Sequence, residues 1–157
     1  ELTAQGQGPV AGFEANGGFL LGSTVRGLAA LPTRDALLPM LSLLAAAVAQ
    51  QTRVSSLVAA LPQRFTYSDR LQAFAPDQSR QLLARLAVEE GLQSRIAGRH
   101  NPPSVVDMTD GVRMTFADGD IVHLRASGNA PELRCYAEAA SLEVARALAM
   151  GALSRVL

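Results

Sequence analysis

The residues 125–134, Arg125-Ala126-Ser127-Gly128-Asn129-Ala130-Pro131-Glu132-Leu133-Arg134, bring together groups suited to holding a small dianion. Arg125 offers a planar guanidinium fork that matches two oxygens of a phosphate. Ser127 and Asn129 offer short side-chain donors. Gly128 lets successive backbone N–H groups turn inward as a nest, and Arg134 adds charge from the side. The same residue types also make an ordinary hairpin turn, because Ser, Gly, Asn and Pro serve turns for reasons of backbone geometry. Composition leaves both readings open. A second cluster lies upstream, in Gly12-Phe13-Glu14-Ala15-Asn16-Gly17-Gly18. There the Glu14 carboxylate can accept from two adjacent hydroxyls and the Asn16 amide can both donate and accept. A Gly-rich turn with an exposed Glu is the competing reading.

The remaining titratable residues suggest less. His123 alternates with Ile121 and Arg125 and reads as a sheet residue, and His100 as a solvated loop residue. Cys135 alternates inward with Leu133 and reads as a small core residue. Asp118 and Asp120 flank Gly119 in a turn, while Arg64, Arg70 and Arg80 read as a solvated face.

Elements must hold these clusters in place. Strands are expected at 104–108, 112–116, 121–125 and 132–137, the second alternating Val112, Met114 and Phe116 with polar residues. Asp110-Gly111 and 117–120 are turn signals. A helix is expected over 77–90, stopped by Gly91, and a closing helix over 138–155. Residues 63–76 read as a connector with a strand-like Phe65-Thr66-Tyr67. Helix, four strands and helix predict an α+β domain, a four-stranded antiparallel sheet with helices on one face. Upstream, 10–13 and 19–21 are short strand candidates. A helix capped by Thr33 or Asp35 should run to about Gln50, with Pro39 tolerated in its first turn, and a short one from Val54 should stop at Pro62. The 35–50 helix is apolar nearly all round, so it needs cover on several sides.

The 157 residues suffice for one domain or two small ones. With 48% hydrophobic residues the chain is not a disordered tail. Fourteen arginines and no lysine balance 14 acidic residues, so there is no global field to favour nucleic acid or an anionic membrane. One cysteine excludes an internal disulfide framework, and two histidines argue against a His-based metal site. A reducing, cytoplasmic compartment is expected. The apolar run 36–49 is too short to span a bilayer. The sequence starts at Glu1 with no initiator Met, which reads as the middle of something longer.

Both clusters resemble loops of the α-D-phosphohexomutase family, the phosphomannomutases and phosphoglucomutases. Residues 125–131 are similar to its phosphate-binding loop, Arg-Pro/Ala-Ser-Gly/Asn-Thr-Glu-Pro: Arg125, Ser127 and Gly128 match, Asn129 stands where Thr is common and Ala130 where Glu is common. Residues 12–18 are similar to its sugar-specificity loop, Gly-Glu-x-Ser-Gly-His, with Glu14 on the Glu, Asn16 on the Ser and Gly18 where His is common. The Asn-Gly-Gly variant looks most like the bacterial phosphomannomutase branch.

The resemblance implies that 63–157 is the C-terminal, TATA-binding-protein-like phosphate-binding domain. Residues 1–62 would then be the C-terminal part of the third, sugar-loop α/β domain, incomplete here. It further implies interconversion of hexose 6-phosphate and hexose 1-phosphate through a bisphosphate intermediate. Glu14 and Asn16 would hold sugar hydroxyls, while Arg125, Ser127, Gly128, Asn129 and Arg134 would hold the phosphate that is not reacting. The family's phosphoserine and its Asp-rich Mg²⁺ loop have no counterpart in these 157 residues, so the chain by itself should be inactive. Its partners would be the phosphosugar, the remaining domains of the same polypeptide and, through the apolar 35–50 helix, a second copy. Two other readings carry weight: a stand-alone phosphosugar- or anion-binding module without catalysis, and a nucleic-acid module suggested by sheet order alone. The second is disfavoured by the balanced charge and the few aromatics.

Overall fold

A computed structural model describes residues 8–14 and 17–157. The chain divides into two compact units, Glu1–Leu61 and Pro62–Leu157.

In the first unit, β1 (Ala11–Phe13), β2 (Phe19–Leu21) and β3 (Leu31–Asp35) form an antiparallel sheet in that order. The third strand was not foreseen, because Pro32 and Thr33-Arg34-Asp35 give no apolar alternation. Its end fixes the next helix: the Asp35 carboxylate accepts from the backbone N–H of Leu37 and Leu38, at 2.9 and 3.1 Å. Thr33 lies inside the strand and caps nothing. Helix α1 (Leu37–Ala49) follows, then α2 (Val54–Ala59). Of α1 only Ala47 is buried; Leu37, Met40, Leu41, Leu43, Leu44 and Val48 are all exposed.

The second unit is α+β, built on a five-stranded antiparallel sheet. Its elements are β4 (Phe65–Gln72), α3 (Pro76–Leu86), α4 (Glu90–Ala97), β5 (Val105–Asp107), β6 (Val112–Thr115), β7 (Ile121–Ala126), β8 (Glu132–Ala139) and α5 (Leu142–Val156). The strand order is β4-β8-β7-β6-β5, so the sheet has one strand more than the four expected. The segment read as a connector pairs along the whole of β8, from Phe65 opposite Ala139 to Gln72 opposite Glu132. Its apolar alternation is broken at Asp69, which takes a core-side position on an edge strand, and this break disguised it.

The register puts Leu133, Cys135 and Ala137 of β8 beside Ala126, Leu124 and Val122 of β7, and the last two beside Val112 and Met114 of β6. That face is buried and packs against α3 and α5. Cys135 lies within it, its thiol pushed up to about 12 by burial and then by Asp69. The expected single helix over 77–90 is two helices. Gly91 falls in the first turn of α4 and terminates nothing; the chain turns at 87–89 instead. The buried Gln93 side chain donates to the Leu86 carbonyl at 2.8 Å, so both Leu86 and Ile96 reach the core across the turn. Glu138 and Ala139 extend β8, and α5 starts only after Ser141, whose hydroxyl accepts from the Val144 N–H.

Candidate anion-binding site

The outward face of the second sheet is polar. Arg113, His123, Tyr136 and Ser68 face one another in register across β6, β7, β8 and β4, and one level along, Arg125, Arg134 and Arg70 do the same. The His123 ring stacks at a tilt on Tyr136, centroids 5.7 Å apart, and its Nε2 meets the Asp110 carbonyl at 2.5 Å.

The loop joining β7 to β8 leaves the sheet just beyond the arginine row. Its neck is closed by Ser127 N–H donating to the Glu132 carbonyl at 2.9 Å and by Glu132 N–H donating to Ala130. Phe74 N–H, past the end of β4, holds the Pro131 carbonyl at 2.9 Å. The tip is open: Gly128 and Asn129 are exposed, and the Asn129 N–H reaches only the Ser127 hydroxyl at 3.4 Å. The nest anticipated at Gly128 is not formed, since no residue of the loop has positive φ. What Gly128 contributes is room, because a Cβ there would meet nothing within 4 Å.

Arg125 is the best-positioned cation of the loop. Its Nη1 donates to the Asp110 carboxylate at 2.5 Å. The Asp110-Gly111 turn can sit this close only because residue 111 is glycine. A Cβ there would lie 2.3 Å from the Leu124 carbonyl and 2.7 Å from the Arg125 Cβ. Arg134 turns the other way. It shares Glu132 with Arg70, each guanidinium 3.4 Å from that largely buried carboxylate. Tyr136 first, and Glu132 beside it, hold the Arg134 guanidinium above its ordinary range.

Of the five residues expected to hold phosphate, the structure thus gathers Arg125, Ser127, Gly128 and Asn129 at one strand end and places Arg134 one strand away, beside Arg70. Arg70 and Asp110 went unrecognised. Arg70, read as part of a solvated face, is exposed and also pairs with Glu132, a pairing hidden with the rest of β4. Asp110 carried only a turn signal. Arg64 is likewise anchored, its Nε on the Glu138 carboxylate at 2.9 Å.

In the first unit, the Glu14 backbone closes the β1–β2 hairpin with Gly17 and Gly18, and its carboxylate is paired with Arg34 of β3 at 2.6 Å. Asn16, the second sugar candidate, lies outside the described residues. Glu14 and Arg34 border a shallow hollow of about 320 Å³ with Phe13, Phe19 and Leu20. Among the described residues no three His, Cys, Asp or Glu side chains come together to hold a metal ion, and Asp118 and Asp120 are both paired with Arg99. Nor is any described helix long and apolar enough to cross a membrane.

Residues 72–153 match the family model described as phosphoglucomutase/phosphomannomutase, C-terminal domain. A phosphomannomutase of Salmonella muenchen is 50% identical over 139 residues, 85% of this chain and 29% of that protein. A phosphomannomutase of Sinorhizobium fredii is 43% identical over 143 residues, 88% of this chain and 30% of that protein. The chain therefore spans under a third of the length of the curated relatives it matches. With more than half of its residues matched by that C-terminal domain, the β7–β8 loop among them, the chain belongs to the phosphoglucomutase/phosphomannomutase family.

Proposed function

We propose that the chain supplies the substrate-holding surfaces of a phosphomannomutase, an isomerase that interconverts hexose 6-phosphate and hexose 1-phosphate through a bisphosphate intermediate. Residues 63–157 are its C-terminal phosphate-binding domain, and 1–62 the C-terminal part of its third, sugar-binding domain. Arg125, Ser127, Gly128 and Asn129 hold the phosphate that is not reacting, and Arg134 adds charge from the next strand. Glu14 and Asn16 take the sugar hydroxyls. The observation that carries this reading is the exposed loop tip, set at the end of the β7–β8 strand pair beside a guanidinium held by Asp110.

Holding the far phosphate contributes position and neutralised charge, which is most of what a protein supplies to phosphoryl transfer. Asp110 keeps Arg125 extended before the anion arrives, so little side-chain order is lost on binding. The Mg²⁺ that such an enzyme uses to neutralise charge on the reacting phosphoryl group has no fitting donor set among the described residues. The phosphoserine and the metal ligands are assigned to the rest of the polypeptide, and the working compartment is the cytoplasm.

Titration of this chain with inorganic phosphate, followed by amide shifts of residues 127–129, tests the loop. The expected result is saturable movement, and no movement at tens of millimolar overturns the assignment. In the full-length enzyme Arg125→Ala should raise KM strongly and lower kcat as well, because positioning is lost. A coupled mutase assay on this chain alone should read background, and turnover that survives repurification would sink the domain reading.

A further inference from the structure

Both ends of the Glu14–Arg34 ion pair stand on anchored backbone. The Glu14 N–H donates to the Gly18 carbonyl at 2.8 Å, and the Glu14 carbonyl accepts from the Gly17 N–H at 3.0 Å. Arg34 immediately precedes Asp35, which lies opposite Phe19 in the sheet and accepts from the first N–H groups of α1. With both main chains held, only the side chains remain to be set. Arg34 reaches from β3 past β2, and its Nη2 donates to both Glu14 oxygens, 2.8 and 2.6 Å away.

The pair does little as a brace. The Arg34 side chain is 72% exposed and that of Glu14 49%, and such solvated ion pairs contribute little to stability. Its place in the unit suits another task. The hollow of about 320 Å³ that it borders is otherwise lined by Gly12, Phe13, Gly18, Phe19 and Leu20. Among the described lining residues, Glu14 and Arg34 therefore carry the polar side chains that an entering hydroxyl would meet. A carboxylate presents about four acceptor positions, all in one plane. Hydroxyls on adjacent ring carbons can donate to both of its oxygens only when that plane is turned toward them. A guanidinium bound to both oxygens sets the plane in advance, so less side-chain freedom is lost when the ligand arrives.

We infer that Arg34 is a positioning residue for a hexose phosphate, holding the Glu14 carboxylate in the orientation that accepts from two adjacent hydroxyls. This rests on the sugar role proposed for Glu14 and adds a residue from outside the 12–18 cluster.

Steady-state kinetics of the full-length enzyme on a hexose 1-phosphate test it, with Glu14→Gln, Arg34→Gln and the double variant compared. Arg34→Gln should raise KM about tenfold and leave kcat within about twofold, because binding common to ground and transition states is lost. Inhibition by inorganic phosphate, which has no ring hydroxyls, should be unchanged. In the Glu14→Gln background the second substitution should add little, since both act through one carboxylate. Arg34→Lys keeps the charge but loses the fork; it should raise KM only about threefold, and it serves if Arg34→Gln does not fold.

An unchanged KM in Arg34→Gln overturns the inference, as does a loss confined to kcat, an equal loss of phosphate inhibition, or an effect that adds in full to that of Glu14→Gln. Glu14→Gln with an unchanged KM would instead remove the proposed sugar role itself, and that single variant distinguishes the two failures.

Discussion

The two ends of strand β7 both carry arginines and carboxylates, in opposite proportions. At its start, the 117–120 turn is clasped by two arginines and three acids. Arg99 meets Asp118 at 2.7 Å and also pairs with Asp120, while Arg64 meets Glu138 and donates to the Gly119 carbonyl. Arg99 also lies over the Phe116 ring, 5.4 Å from its centre. These cations tie α4 and the start of β4 to a hairpin. At the far end three arginines face Asp110 and Glu132 and leave charge uncompensated beside an open loop. Excess acid surrounds the arginines that hold the fold together, and the surface proposed to bind an anion carries the excess of arginine. Residue type alone makes no such distinction.

The glycines of two turns give the largest test of this contrast. Gly111 and Gly119 have φ of 82° and 81°. At Gly119 a Cβ would find only an Arg64 nitrogen at 4.0 Å, whereas at Gly111 it would strike Leu124 and Arg125. Gly111→Ala should therefore lose about 3 kcal/mol or more in urea unfolding and shift the Arg125 resonances, since a left-handed penalty and a backbone clash add. If Gly111→Ala is as mild as Gly119→Ala, the Asp110 turn does not press on Arg125 as described.

Next in size is Arg99→Ala. It leaves Asp120, 7% exposed, with only Arg64 at 3.8 Å, and should lower stability by about 2 kcal/mol, less than for a fully buried pair because Arg99 is partly solvated. Gly119→Ala should lose only the backbone term, about 1 kcal/mol. Arg70→Gln, at the other end, should change stability by less than about 0.5 kcal/mol in either direction, because it relieves repulsion while removing a long ion pair. A loss there as large as that of Arg99→Ala would erase the distinction between the two ends.

The smallest effect is visible only against pH. The Asp120 N–H first, with Arg99 after it, holds the Asp118 carboxyl below the ordinary aspartate range. A depressed folded pKa stabilises above the unfolded value, near 4, and this contribution fades as pH falls through the lower folded value. The urea midpoints of the wild type and Asp118→Asn should differ at pH 6, and the gap should shrink steadily as pH falls below the unfolded value. A constant gap across that range would show that Asp118 acts through shape and not charge.

The amino-acid sequence by itself determined what is local. The β7–β8 loop, the alternation of β6, the acidic turns and the apolar character of α1 are contiguous patterns, each set by side-chain period and backbone preference within a few residues. Helix ends were less legible, as the break at 87–89 shows, because Gly91 can close one helix or sit in the first turn of the next. Only the tertiary structure decided which distant residues meet. Arg70 and Arg134 are 64 positions apart, and their pairing depends on the register of β4 on β8. Glu14 finds Arg34 through β3, a strand with no apolar alternation to announce it. Strand pairing is driven by the burial of a whole sheet face beneath two helices, a collective quantity that no short stretch of chain records, and the charges on the outward face are carried into place by it.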